Sequence, residues 1–338
     1  MLQIQEHVSL KPFNSFGIDV KARYFAEIFD EQDLNDLFGL ELVNNQELFI
    51  IGGGSNVLFT KDYDGLIIRM CIKGISSETD GADVLVTAGA GVVWNDFVNY
   101  CVGNNFGGVE NLSLIPGTVG ASPIQNIGAY GVELKDVLES CTAFEINTGE
   151  IRIFTYADCH FGYRESIFKG ELKGQYIITS VTFRLKTEGN LNTSYGAIET
   201  ELEKRGIKTP GIADISAAVS HIRVSKLPDP STIGNAGSFF KNPIVEKFEF
   251  ADIIARHPDV VHYPTADNKI KLAAGWLIEQ CGWKGKLVGK TGTWKNQALV
   301  LVNHGGASGT AIFDFSAQII DSVKSTFGVT LEREVNIL

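Results

Sequence analysis

The chain has no CxxC pair. Its five cysteines, Cys71, Cys101, Cys141, Cys159 and Cys281, are scattered over 338 residues. An odd, widely spaced set excludes a disulfide framework and points to reduced thiols in a cytoplasmic protein. Cys159 and His160 are adjacent, which is not a zinc spacing, and no second pair exists, so no metal site is read. Long apolar runs are also missing. Stretches such as 298–302 are far too short to span a bilayer. The opening MLQIQEHVSLKPFNSFG lacks a basic segment leading into an apolar one, so no secretory signal is read there. Basic charge is scarce: 29 Lys and Arg face 40 Asp and Glu, for a net charge of −11. That balance argues against a nucleic-acid or anionic-membrane partner. It leaves room for an anionic small substrate, since a few local cations can reverse the field inside a cleft. No repeat, low-complexity segment or linker stands out.

Glycine is what the chain has in quantity, 36 residues without a collagen period. Residues 115–131 read IPGTVGASPIQNIGAYG. No helical or strand period fits them, and the run is almost free of charge. Solvated connectors are usually polar. The segment therefore reads as backbone wrapped around a large, flat, partly charged ligand; a buried crossover without a ligand has the same composition. Residues 52–56, GGGSN, follow a short apolar strand at 47–51, an arrangement that presents N–H groups to phosphate oxygens. It is not a Rossmann fingerprint. Val57 stands where the third glycine belongs, and LFTKDYDG continues as strand and turn, not helix. The Gly-Lys-Ser/Thr of a P-loop is missing too.

Periodicity fills in the rest. Strands are expected at 22–29, 65–69, 84–88, 176–186 and 298–303, with a hairpin from 137–146 to 151–155. Helices are expected at 33–42, 91–103, 210–225, 271–281 and 310–327. The last segment, 329–338, reads as a strand with Glu332 and Glu334 on one face. Residues 161–166, FGYRES, combine charged and aromatic side chains on a strand-to-turn segment. Composition changes near Gly189, which puts a domain boundary at about 187–195.

Six motifs in order then become recognisable: IIGGGSNVLF, GVENLSLIPGTVGASPIQNIGAYG, FGYRESIFK, GNAGSFFKNP, NQALVLVN and LEREVNIL. Together they resemble the UDP-N-acetylenolpyruvoylglucosamine reductases, in the subclass with a substrate-covering tyrosine loop. The likeness runs from about Asn14 to the C-terminus. It implies an α+β protein with an FAD-binding fold of the vanillyl-alcohol-oxidase type in two subdomains, residues 1–72 and 73–190. A separate α+β substrate-binding domain would follow at 191–328, with 329–338 returning to the active site. It implies bound FAD, NADPH as co-substrate and UDP-N-acetylglucosamine enolpyruvate as substrate, in a monomeric enzyme of peptidoglycan precursor synthesis. Reduced flavin would deliver hydride from N5 to C3, and an acid would protonate C2.

The resemblance also assigns residues. Gly52, Gly53, Gly54, Ser55 and Asn56 would cradle the FAD pyrophosphate. Ile115, Gly117, Gly120, Ala121, Ser122, Ile124, Gln125, Asn126, Gly128, Ala129, Tyr130 and Gly131 would lie along the flavin. Arg164 matches the active-site arginine, and its planar fork suits a carboxylate. Ser238 matches the proton donor; a hydroxyl is a weak acid, but a carbanionic carbon is a stronger base. Glu334 matches the active-site glutamate. An ionised Glu334 would repel an enolate, so that role asks for a carboxyl kept protonated by burial or linked through water. Tyr195 matches the mobile tyrosine, and Lys226, Asn242 and Gln297 match substrate contacts. Taken alone, Ser238 is a loop hydroxyl, Arg164 half of an ion pair with Glu165, and Glu334 an exposed carboxylate. Two departures stand out: Asn336 occupies a place where arginine is common, and Trp294 one where histidine is common. An FAD-dependent oxidase of the same cofactor superfamily and a non-catalytic sugar-nucleotide sensor are the competing readings.

Overall fold

The computed structural model describes residues 2–187, 191–265 and 267–338. The chain forms two compact units, each assembled from separated stretches. The first comprises Met1–Val8, Ala22–Gly53 and Asp64–Val224; the second comprises Ser9–Lys21, Gly54–Tyr63 and Ser225–Leu338. The composition change at Gly189 lies outside the described residues. The compact units part between Val224 and Ser225.

The first unit holds two large sheets and a two-stranded pairing, Gly128–Ala129 with Val132–Glu133. A five-stranded antiparallel sheet runs Ile151–Thr155, Leu138–Glu145, Tyr176–Lys186, Asp83–Gly89, Ile75–Asp80. Its central strand, Tyr176–Lys186, buries Ile177, Val181, Phe183 and Leu185 as its period requires. Phe183 packs on Phe97 with ring centroids 4.3 Å apart, which seats the helix Trp94–Gly103 on the sheet. A four-stranded sheet runs Ile4–Ser9, Lys21–Ile28, Tyr63–Met70, Leu48–Ile51, the last two paired in parallel. The helix Glu31–Phe38 begins where Asp30 accepts the Asp33 N–H and acids fill the first turn. It stops at Phe38, short of the expected 42, and Leu40 and Leu42 are exposed.

Three further expectations shift. The helix expected from 91 begins at Trp94. The Gly91 N–H is bonded to Ile72, and the Val92 carbonyl accepts from Val119, so 91–93 serve sheet and loop. The strand Ile75–Asp80 was not expected, because an exposed, polar edge strand shows no period. Helix Gly196–Lys204 buries only Ile198 and Leu202, too little apolar surface to stand out in a polar stretch. The following helix, Ile212–Lys226, buries Ile212, Ile215, Ala218, Val219 and Ile222 as its spacing predicts.

The second unit centres on the antiparallel sheet Gly234–Ser238, Gln297–Asn303, Thr291–Trp294, Leu287–Val288. The helix Gly309–Phe327 buries Ile312, Phe315, Ile319 and Val323 in its core. It is capped by Ser308 and ends at Gly328, whose φ is 77°. Residues 271–273 are not helical: Ile270–Leu272 pairs with Ile244–Val245 and His262–Pro264, and the helix is Ala274–Gln280. In 329–338 only Asn336–Ile337 is regular strand, paired in parallel with Val57–Leu58. Arg333 makes one bridge to Phe240. No helix among the described residues is long and apolar enough to cross a membrane.

Candidate active site

In the first unit, the two glycine segments touch. A Cβ on Gly52 would lie 2.1 Å from the Thr118 Oγ1, and one on Gly53 would lie 3.2 Å from Gly117 Cα. Only glycine permits this approach. The N–H groups of Gly53, Gly54 and Ser55 make no hydrogen bond among the described residues. Consecutive free N–H groups form an anion cradle, and these fit a diphosphate.

Residues 115–131 are stitched from behind. Asn126 is fully buried, and its side chain is fully used: Nδ2 donates to Glu133 Oε2 and the Gly162 carbonyl, and Oδ1 accepts from Lys135 N–H. Ser122 is also buried, with Oγ donating to the Val119 carbonyl. These two side chains shape the loop from within and do not project from it.

Arg164 is joined to the same loop. Its Nη2 donates to the Gly128 carbonyl at 2.8 Å and its Nη1 to the Asn126 carbonyl at 3.4 Å. Ser166 Oγ donates to the Ile124 carbonyl at 2.7 Å, tying the turn down on its other side. Arg164 has φ 58°, a left-handed conformation rare for a side chain with a Cβ. Asn126 (45°), Tyr130 (51°) and His160 (44°) share it. Such residues cost roughly 1–3 kcal/mol each and concentrate at ligand sites.

Tyr195 stands at the start of Gly196–Lys204, 43% exposed, with its ring edge-on to Tyr130 at 5.3 Å. Tyr130 thus meets the tyrosine rather than acting only as part of the loop. Its hydroxyl pairs with Arg223 from Ile212–Lys226. Burial raises the Tyr130 phenol and lowers the Arg223 guanidinium from their ordinary values. Arg223 Nε is buried without a hydrogen-bond partner among the described residues. Sequence reasoning missed Arg223, because one arginine on an amphipathic helix reads as solvated.

In the second unit, Ser238 ends the strand Gly234–Ser238. A register shift between Asn235 and Ser238 turns it outward, with Gly237 at φ 67° and its N–H held by Asn235 Oδ1. Ser238 is exposed, and the neighbouring Phe239 and Phe240 are buried. The early motif supports this strand: a Cβ on Gly234 would meet the Phe16 carbonyl at 2.3 Å, and Asn235 N–H donates to the Ser15 carbonyl. Half-buried Glu334 donates its N–H to the Phe239 carbonyl at 2.8 Å. The backbone therefore sets Glu334 opposite Phe239, the residue after Ser238.

Asn242 Oδ1 accepts from Ala274 N–H, and Gln297 Oε1 would be 2.9 Å from a Cβ on Gly275. Both therefore meet the start of Ala274–Gln280. Lys226 is exposed, and the preceding Ser225 carbonyl accepts from Asn296, next to Gln297. Asn336 has a structural use: Nδ2 donates to the Asn56 carbonyl at 2.9 Å, holding the end of the GGGSN turn. Trp294 Nε1 is buried without a partner among the described residues.

Comparison with known proteins covers the whole chain. Residues 22–155 match the FAD binding domain model, and residues 229–338 match the UDP-N-acetylenolpyruvoylglucosamine reductase C-terminal domain. The chain is 50% identical to UDP-N-acetylenolpyruvoylglucosamine reductase of Flavobacterium johnsoniae, over 100% of both chains. It is 48% identical to the enzyme of that name from Pseudomonas aeruginosa, over 99% of both. The fold is similar to UDP-N-acetylenolpyruvylglucosamine reductase from Thermus caldophilus, with TM-score 0.68, 21% identity and coverage of 100% and 99%. A solvent-stable cholesterol oxidase matches with TM-score 0.51, 12% identity and coverage of 98% and 87%.

Proposed function

The chain belongs to the UDP-N-acetylenolpyruvoylglucosamine reductase family of oxidoreductases, and from that premise we propose that it reduces UDP-N-acetylglucosamine enolpyruvate to UDP-N-acetylmuramate. Its place is then in peptidoglycan precursor synthesis, with NADPH as reductant. The full-length likeness at 50% identity carries this reading. Gly52 to Asn56 and the 115–131 backbone would hold FAD, which when bound and reduced supplies the hydride to C3.

The remaining chemistry belongs to side chains. Hydride addition at C3 leaves negative charge on C2 and the adjacent carboxylate. Arg164, its plane set by the Gly128 carbonyl, faces that carboxylate as a cation. Ser238, turned outward at its bulge, gives its hydroxyl proton to C2. Glu334, protonated or linked through water, helps stabilise the developing charge. Tyr195 covers the diphosphate, Lys226 pairs with it, and Asn242 and Gln297 contact the substrate. Tyr195 is exposed and its helix has a small core, as a moving cover requires.

Ser238→Ala tests the assignment. NADPH should still bleach the flavin. Reoxidation by the enolpyruvyl substrate, followed by stopped flow, should slow by about 10²–10⁴-fold. Reoxidation at the wild-type rate would remove Ser238 from the proton-donor role.

A further inference from the structure

Lys241 lies three residues beyond Ser238 and is 9% exposed. Lysine is rarely so buried unless paired. Its Nζ is 2.6 Å from Glu332 Oε1, and the Glu332 side chain is 69% exposed. The two segments form a short antiparallel ladder. Lys241 N–H donates to the Glu332 carbonyl at 2.9 Å, Glu334 N–H donates to the Phe239 carbonyl at 2.8 Å, and Phe240 bridges Arg333. Phe239 thus lies opposite Glu334, and Lys241 opposite Glu332.

Alternation then sorts the side chains. Phe240 and Arg333 share one face. There Arg333 Nε donates to Ser316 Oγ at 2.8 Å and its guanidinium lies 4.3 Å over the Phe313 ring. Arg333 is therefore turned away from its neighbour Glu334. The other face carries Glu332, Glu334, Phe239 and Lys241. Two carboxylates share it, and Lys241 is the cation of this ladder on that side. It sits directly across from Glu332 and one diagonal step from Glu334, a distance of about 7–8 Å between backbones that a lysine side chain can reach over.

We propose that Lys241 is a positioning residue for the Ser238–Glu334 pair. Its cross-strand bond to Glu332 fixes the register that sets Glu334 opposite Phe239, one residue from Ser238. Its ammonium also supplies the countercharge on the Glu334 face. The inference rests on the reductase reading and adds one part to it. A buried cation paired with Glu332 on that face offsets part of the negative charge that its carboxylates would present to a developing enolate.

The test uses FAD-loaded enzyme and the two half-reactions. In Lys241→Met, bleaching by NADPH should stay within about two-fold of wild type. Reoxidation at saturating enolpyruvyl substrate should fall on the order of 10²-fold, the effect of a small misplacement at a reacting centre. Half-saturation should move less than about three-fold, because a positioning role gives Lys241 no contact with the substrate. Lys241→Arg keeps charge and pairing and should recover most of the rate. Glu332→Gln should show a smaller loss with the same pattern, and it carries the test with Lys241→Arg if Lys241→Met fails to fold. Wild-type reoxidation in Lys241→Met, or equal slowing in Lys241→Met and Lys241→Arg, overturns the inference. Wild-type flavin that NADPH bleaches but the enolpyruvyl sugar nucleotide does not reoxidise overturns the reductase reading first, and this inference with it.

Discussion

The two sets of candidate residues, one in each compact unit, are held by different means. Around Arg164, backbone strain and side-chain-to-carbonyl bonds do the holding. Asn126, Ser122 and Ser166 are buried and turned inward, and four residues sit at positive φ without being glycine. Around Ser238 the frame is a ladder with one bulge, and Ser238 itself is exposed. The first fixes a guanidinium against a loop whose strand pairing is short, Gly128–Ala129 with Val132–Glu133 and Thr118 with Val93. The second lets the sheet do the fixing and spends one irregularity on aiming a hydroxyl. A loop needs many small bonds to be rigid, whereas a strand end needs a correct register.

The contrast can be broken most severely at Gly54. Its φ is 61°, and a Cβ there would lie 1.9 Å from the Phe13 carbonyl. Gly54→Ala combines left-handed strain with a backbone clash and should cost about 3 kcal/mol or more. Thermal unfolding should show a lowered midpoint, with reduced flavin retention. An unchanged midpoint would mean that the turn relaxes freely and is not a rigid cradle.

A smaller effect is expected at Asn126→Ala, which removes three buried hydrogen bonds behind Arg164. At about 1 kcal/mol each, the loss should be roughly 2–4 kcal/mol. Substrate reoxidation should suffer as well, because the carbonyls that orient Arg164 belong to the same loop. If stability falls but reoxidation does not, the stitching and the guanidinium are independent.

Acid gives the mildest test. Asp158 lies on the turn Ala157–Cys159 leading towards Arg164, and its bonds from Thr155 hold its carboxyl below the usual range. A depressed folded value stabilises the fold above the unfolded pKa near 3.9, and that contribution is lost as pH falls through the folded value. Below about pH 4 the Arg164 side should therefore loosen slightly. Asp158→Asn should flatten that part of the stability-against-pH curve; an unaltered curve would show that the turn does not depend on the carboxylate.

How much could be read in advance follows the same division. Long periodic elements were legible, such as Tyr176–Lys186 and Gly309–Phe327, because burial on one face imposes a pattern. Ile75–Asp80 was not, because an exposed polar edge has no pattern to impose. Residues 271–273 were misread because Leu272, Trp276 and Leu277 suit a helical stripe, whereas Ile270–Leu272 is fixed by pairing with Ile244–Val245 on one side and His262–Pro264 on the other. The motifs single out Ser238 and Glu334, and the structure shows the strand end and cross-strand bond that hold them. The inward bonding of Asn126 was not legible, because an amide buried among carbonyls looks in sequence like any loop amide. Lys241 was invisible for the converse reason, since a lysine reads as solvated until its strand partner is known.

The interleaving of the two units bears on biosynthesis. Ser9–Lys21 and Gly54–Tyr63 belong with Ser225–Leu338, and Val57–Leu58 waits for Asn336–Ile337 as its parallel neighbour. At typical translation rates those early stretches stay without their partners for on the order of ten seconds or more. The nascent chain must therefore keep Leu58 and Phe59, both fully buried in the finished protein, out of wrong company while the intervening unit emerges. Chaperone dependence during synthesis should track these two short segments more closely than the large sheets between them.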